Sequence, residues 1–158
     1  DTLGVASTLT LNDSTYSDDV LGVATGADGK AANIIEYKEG EMIAGIPERM
    51  MTLGLNYQRD AYRAGINAKY QGEYYGAAKH SFVGKTSVWN RDQIEAHTLW
   101  DLYFGYQKSL SGDQLINSLD VSLLINNLTD KAYISGGSEG AYLLGAERSI
   151  SMTVSLGF

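Results

Sequence analysis

The chain has 158 residues, a formal net charge of −7, one Pro, no Cys, 18 Gly and 11 Tyr. The negative charge argues against a nucleic-acid partner, since nothing here could neutralise a row of phosphates, and the lack of Cys removes disulfides, thiolate metal sites and cysteine nucleophiles. No run of about 18 apolar residues is present, so no membrane helix is expected, and a Gly- and Tyr-rich, Pro-poor chain suits β structure with tight turns and aromatic belts.

Six segments alternate with a period of 2, the mark of strands with one apolar and one polar face. The first sets Leu3, Val5, Leu9 and Leu11 against Gly4, Ala6, Thr8, Thr10 and Asn12, with Ser7 interrupting the apolar face. The second sets Met51, Leu53, Leu55 and Tyr57 against Thr52, Gly54, Asn56 and Gln58. The third runs from Tyr62 to Tyr75, with Tyr62, Ala64, Ile66, Ala68, Tyr70, Gly72 and Tyr74 on one face and Arg63, Asn67, Lys69, Gln71, Glu73 and Tyr75 on the other. The fourth places Trp100, Leu102, Phe104 and Tyr106 against Asp101, Tyr103, Gly105 and Gln107. The fifth places Leu119, Val121, Leu123 and Ile125 against Asp120, Ser122, Leu124 and Asn126. The last alternates from Ile150 through Met152, Val154 and Leu156 to Phe158. No segment sustains a period of 3.6, so no helix longer than a turn or two is expected.

The links alternate in length. Arg59-Asp60-Ala61 and the stretch from Leu110 to Asn117, which holds Ser111-Gly112-Asp113, are short. The stretches 17–48, 76–95 and 135–147 are long and are expected as loops. This is the pattern of an up-and-down meander with turns at one end and loops at the other, as in outer-membrane barrels. Tyr57, Tyr62, Tyr106 and Phe158 then lie near the short-turn ends and Tyr70, Tyr74 and Trp100 near the long-loop ends, two belts around an aliphatic band. Alternation alone also permits a soluble sandwich, in which the apolar face meets a second sheet; the belts, the loop asymmetry and the aromatic terminus favour the membrane.

Four motifs sharpen this reading. Ile125-Asn126-Asn127-Leu128-Thr129-Asp130-Lys131-Ala132-Tyr133 resembles the penultimate-strand signature of TonB-dependent outer-membrane receptors, with Thr129 where an aromatic is usual. Gly145-Ala146-Glu147-Arg148-Ser149-Ile150 resembles the family's step into the last strand, with Glu147 in place of Pro. Gly45-Ile46-Pro47-Glu48-Arg49 and Trp100-Asp101-Leu102-Tyr103-Phe104-Gly105-Tyr106 resemble two earlier strand motifs, in the same order. The resemblance implies an all-β fold, an antiparallel transmembrane meander forming the last six strands of a barrel of about 22 strands whose lumen is plugged. Residues 1–158 would then be the C-terminal part of that barrel domain, without the N-terminal plug and the remaining strands.

The resemblance also implies a function: active import of a scarce nutrient across the bacterial outer membrane, with a ferric siderophore or similar iron chelate as the default. The implied partners are the remaining strands and the plug, TonB through the plug, outer-membrane lipid and an extracellular small molecule. No enzyme activity, cofactor or metal is expected. Lys69, Gln71, Glu73, Tyr75, Trp89 and Arg91 are the candidate ligand contacts near the outer mouth, where aromatic and charged groups would orient a ligand. Each has a structural alternative as a belt aromatic or a cross-strand ion pair. Phe158 is the candidate assembly signal. His80 and His97 are expected as solvent-exposed loop residues, Asp18-Asp19 and Asp28-Gly29 lack calcium-loop spacing, and Gly136-Gly137-Ser138-Glu139-Gly140 lacks the Lys of a phosphate cradle. The Asn127–Asp130 stretch is expected to bend the chain through side-chain-to-backbone bonds. The rival readings are a passive channel or adhesin and a soluble carbohydrate-binding sandwich.

Overall fold

All six alternating segments form strands, and six further strands lie inside the long links. The computed structural model describes residues 1–25, 28–83, 86–110, 115–138 and 141–158, with side chains described except at 24, 32, 77–83, 86–91 and 138. In chain order the strands are β1 Thr2–Leu11, β2 Val20–Thr25, β3 Ala31–Tyr37, β4 Arg49–Arg59, β5 Tyr62–Gln71, β6 Tyr74–Val83, β7 Thr86–Ile94, β8 His97–Ser109, β9 Ser118–Asn126, β10 Ile134–Ser138, β11 Ala141–Leu144 and β12 Ser149–Gly157. The described residues contain no helix. One antiparallel sheet runs β1-β4-β5-β8-β9-β12, and β2-β3, β6-β7 and β10-β11 are separate two-stranded hairpins. The wall strands are 9 to 13 residues long, against the roughly 9–11 that a tilted strand needs to cross a bilayer.

Register turns the alternation of each strand into rows across the sheet. Val5, Leu55, Ile66, Leu102, Ile125 and Ile150 stand opposite one another in turn, as do Leu3, Tyr57, Ala64, Phe104, Leu123 and Met152. Between these rows, on the other face, lie Gly4, Asn56, Gly65, Tyr103, Leu124 and Ser151. One side of the sheet is therefore continuous apolar surface, and it is open: Val5 is 66% exposed, Ile150 64% and Met152 69%. Tyr74 and Ile94 are the only buried hydrophobic residues among those described, and neither belongs to the wall. A soluble sandwich would cover that face with a second sheet. No such sheet exists among the described residues, and soluble surfaces do not tolerate an apolar patch of this extent. A hydrocarbon solvent does.

The two short links behave as expected. Asp60 takes a φ of 50°, the left-handed conformation that tight hairpin turns use and that Asp tolerates. The second is closed by the Leu110 N–H donating to the Asn117 carbonyl and the Asn117 N–H donating to the Gly157 carbonyl, both at 2.8 Å; the expected Ser111-Gly112-Asp113 turn lies outside the described residues. Tyr62 packs against Tyr106 at 5.0 Å between ring centroids and against Phe104 at 6.3 Å, forming the belt at this end. Tyr70 and Trp100 are exposed on the apolar face toward the other end.

Three expectations are corrected. The long links are not plain loops, since each carries a hairpin. The third segment does not run unbroken to Tyr75: pairing stops at Gln71, Gly72 and Glu73 interrupt it, and Tyr74 begins β6. At the break the Gly72 N–H donates to the Arg49 carbonyl at 2.8 Å, and a Cβ on Gly72 would fall 3.0 Å from that oxygen, so a side chain would crowd it. Tyr74 is consequently not a belt residue. It pairs with Ile94 on β7 and is 4% exposed; burial pushes its hydroxyl pKa up, with a Gln71 hydrogen bond opposing.

β1 pairs only with β4 and β12 only with β9, so the outer edge of each lacks a partner among the described residues. In lipid an unpaired backbone group costs several kcal/mol. The lipid-facing assignment has a direct test in the complete barrel refolded into phosphatidylcholine vesicles. Leu55→Arg, near the middle of the apolar band, should lower stability by about 2–4 kcal/mol in guanidinium titration. Asn56→Ala, one residue along on the polar face, should cost under about 1 kcal/mol.

Candidate functional site

On the polar face, two consecutive rows near the long-link end cross four strands. Thr8, Thr52, Lys69 and Leu99 form one, and Thr10, Met50, Gln71 and His97 the other. The Thr8 and Thr52 hydroxyls hydrogen-bond across the β1–β4 pair. The chain after β9 returns over these rows with Tyr133 and Ser135 and closes a groove of about 490 Å³. Tyr133 stacks on His97 at 4.6 Å between ring centroids, tilted by 32°. On the far side of this pair is a second hollow of about 420 Å³, between Gln93–Ala96 and Lys131–Ile134. His97 and Tyr133 line both.

Tyr133 is held there by the corner that follows β9. Asn127 is 4% exposed and takes a φ of 50°. Its side-chain amide donates to the carbonyls of Lys131 at 2.9 Å and Ala146 at 3.1 Å, and its Oδ1 accepts from the Lys131 N–H at 2.9 Å. This is the side-chain-to-backbone bend expected of the stretch, with the link between β11 and β12 also drawn in. The Asn127 N–H donates to Oδ1 of Asp101 on β8 at 3.0 Å, and the Leu128 N–H to the Trp100 carbonyl at 2.7 Å. Asp130, at a φ of 53°, accepts from the Arg148 N–H at 3.0 Å, which fixes the approach to β12. The Gly145 N–H then donates to the Tyr133 carbonyl at 2.8 Å, and the ring lies so close over Gly145 that a Cβ there would fall inside it.

Charge on the polar face is paired. Lys69 donates to Oδ2 of Asp101 at 2.7 Å, and Arg63 to Asp120 at 2.9 Å. The hairpins are tied together above the wall by the Tyr142 hydroxyl, which donates to the Asp92 carboxylate while its ring lies near Gly76. That hydrogen bond, with desolvation adding to it, raises the Tyr142 pKa.

Of the six residues singled out as ligand contacts, the structure brings Lys69 and Gln71 into the groove. Glu73 is exposed in the β5–β6 break, and Tyr75 is half-buried in β6, its carbonyl accepting from the Gly45 N–H at 2.8 Å. Neither lines the groove. The side chains of Trp89 and Arg91 lie outside the described residues; their backbones are in β7, opposite His80 and Ala78. His97 is corrected: it is not an exposed loop histidine but the first residue of β8, 8% exposed. The side chain of His80 lies outside the described residues. Sequence reasoning missed both His97 and Tyr133 as groove residues. His97 lies three residues before Trp100, where the alternation of the fourth segment begins, and Tyr133 reaches the groove only through the corner.

A wall with one lipid-type face, one paired polar face and a mouth built from hairpins is the context for the comparisons with known proteins. A family model described as TonB dependent receptor-like, beta-barrel, matches residues 3–128. The chain belongs to the TonB-dependent receptors. Barrels of this family are outer-membrane proteins. The ferrioxamine B receptors of Salmonella typhimurium strains SL1344 and LT2 are each 40% identical to this chain over 70 residues, 44% of the chain and 10% of the relative. The match thus spans about a tenth of those receptors' length.

The corner of this receptor segment can be tested through Asn127. In the intact receptor Asn127→Ala removes three part-buried hydrogen bonds to the backbone and places Ala at a positive φ. A loss of about 3 kcal/mol is expected, read as a lower midpoint for converting the folded to the unfolded gel band. Asn127→Gly removes the same bonds without the backbone cost and should recover about 1 kcal/mol of it.

Proposed function

We propose that this chain is part of an outer-membrane active transporter that takes up a ferric siderophore or similar iron chelate. The observation that carries the reading is the 40% identity over 70 residues to proteins named as ferrioxamine B receptors. An open apolar wall face and a groove at the mouth lined by both polar and apolar groups are compatible with it. In this reading residues 1–158 form the C-terminal six strands of the barrel, and the open edges of β1 and β12 pair with the strands that complete it. A plug domain of the same receptor fills the lumen and couples it to TonB.

Ligand contact falls to groups at the mouth: Lys69 and Gln71 in the groove, with Glu73, Tyr75, Trp89 and Arg91 on or beside the β6–β7 hairpin. Concave sites use such a mixture of aromatic and polar groups to orient a ligand. The segment supplies wall, groove and loops, and the energy for transport enters through the plug. Phe158, 76% exposed next to the end of β12, acts as the assembly signal.

Two experiments test this. Deleting the receptor gene should reduce uptake of iron-55-labelled ferrioxamine B to background, and deleting TonB should do the same with the receptor present. Unchanged uptake in the receptor deletion, with no other chelate affected, sinks the reading. Separately, Phe158→Ser should reduce the amount of folded receptor in outer-membrane fractions several-fold while leaving the ligand affinity of the assembled fraction unchanged. Wild-type assembly of that variant removes Phe158 from the assembly role.

A further inference from the structure

The β10–β11 hairpin is held differently at its base and farther out. At the base it is fixed to the wall. Tyr133, one residue before β10, stacks on His97 of β8 at 4.6 Å between ring centroids, and its carbonyl accepts from the N–H of Gly145, one residue after β11. The Ser135 hydroxyl donates to the Leu143 carbonyl at 3.1 Å. Between Ile134 and Gly136 the register shifts, an irregularity of the kind at which a strand bends. β10 also lies against β6 of the neighbouring hairpin.

Farther out, a side chain crosses from one hairpin to the other. Tyr142 stands opposite Gly137 in the β10–β11 pair, and Gly137 takes a φ of 152°. A Cβ on Gly137 would fall 2.8 Å from both Cα and Cδ1 of Tyr142, so a side chain there would push the ring aside. At its outer edge the same ring reaches β6: a Cβ on Gly76 would stand 3.6 Å from Cε1 and from the hydroxyl oxygen of Tyr142. The hydroxyl donates to the Asp92 carboxylate on β7, and a charged acceptor makes the stronger class of hydrogen bond. The ring thus lies at two glycines, one on each hairpin, and ends on the far strand.

The place of this contact gives it leverage. Asp92 is next to Gln93, which belongs to one wall of the hollow of about 420 Å³, and Tyr142 is two residues from Leu144, which is paired with Ile134 in the other. The crossing side chain therefore bridges the two walls just beyond their lining. Hairpins of two strands are marginal by themselves, and segments with few buried contacts are the ones that open locally. A hairpin fixed at its base and bent there moves at its outer part once the outer contact lets go.

We propose that Tyr142 is a releasable strap. Closed on Asp92, it makes β6–β7 and β10–β11 a single body and sets the width of the hollow between them; released, it lets β10–β11 swing about the irregularity at Ile134 and Gly136.

Hydrogen exchange read by mass spectrometry on the intact receptor in detergent tests this without a ligand, so failure of the iron-chelate reading leaves the outcome untouched. Tyr142→Phe keeps the ring and removes the hydroxyl; the amides of β10 and β11 should exchange about tenfold faster, with those of β8 and β9 unchanged. Asp92→Ala should give the same increase, and the double variant should lie within about twofold of either single one, because the same contact is lost. Asp92→Asn keeps an oxygen acceptor and should stay within about threefold of wild type. Equal exchange in wild type and Tyr142→Phe overturns the inference, and so do single effects that multiply in the double variant. Should Tyr142→Phe fail to assemble, Asp92→Ala on the other hairpin decides: faster exchange in β10 and β11 supports the strap, and unchanged exchange overturns it.

Discussion

The backbone has to satisfy its own hydrogen bonds, because the hydrocarbon around this wall offers none. The six-stranded ladder meets that demand, and the remaining features of the wall follow from it. Strand lengths match the membrane, turns are confined to its edges, and the pleat sends alternate side chains to opposite solvents. That is why so few hydrophobic residues are buried while rows such as Val5, Leu55, Ile66, Leu102, Ile125 and Ile150 lie open. The usual arrangement of a water-soluble domain is inverted: the apolar stabilisation lies between side chains and lipid. The same demand makes the outer edges of β1 and β12 the costliest features of the segment, and it is the physical argument for further strands beside them.

Beyond the break at Gly72 and Glu73 the constraint relaxes. Water can satisfy the backbone there, and the chain follows the ordinary rules of small β-hairpins, which need tertiary contacts to hold their shape. Those contacts are local. Tyr16 stacks on Tyr37 at 4.6 Å at the end of the β2–β3 hairpin, Tyr74 and Ile94 pair at the base of β6–β7 and are both buried, and Tyr142 reaches from β11 to Asp92 on β7. The mouth thus has small apolar centres of its own, and the one at Tyr74 and Ile94 lies near the groove. This is also why Tyr74 departs from the belt that its spacing from Tyr70 suggests: the face it continues ceases to be a lipid face two residues earlier.

The wall was legible because a period of 2 between two solvents leaves a repeating imprint. Leu119, Val121, Leu123 and Ile125 could hardly be read otherwise, and the short links at Asp60 and near residue 113 set the meander. The hairpins left no such imprint. In Tyr74-Tyr75-Gly76-Ala77-Ala78-Lys79 neither alternate set of residues is consistently apolar, and β2–β3 and β10–β11 are short and rich in Gly and Ala. The groove was half legible. Lys69 and Gln71 sit on a clear polar face, but their neighbours depend on register between strands and on a corner that carries Tyr133 back over His97, and a single strand's pattern contains neither. The Asn-Asn-Leu-Thr-Asp-Lys stretch announced a bend through its residue types. Its reach to Ala146, Asp101 and Arg148 is a product of the fold.

Asp101 joins the two parts of the site. One oxygen accepts the Asn127 N–H at 3.0 Å and the other the Lys69 ammonium at 2.7 Å, with the side chain 13% exposed. A partly buried carboxylate is costly unless both oxygens are occupied, and here the two partners come from opposite directions, one from the corner and one from the groove. Removing Lys69 would leave the corner anchored to an under-compensated charge. Removing the corner would free an oxygen to bind Lys69 more fully or to take up water. The positive charge facing the lumen is thus already committed to holding the wall together. A negatively charged group entering this groove meets no unpaired lysine or arginine among the described residues that line it.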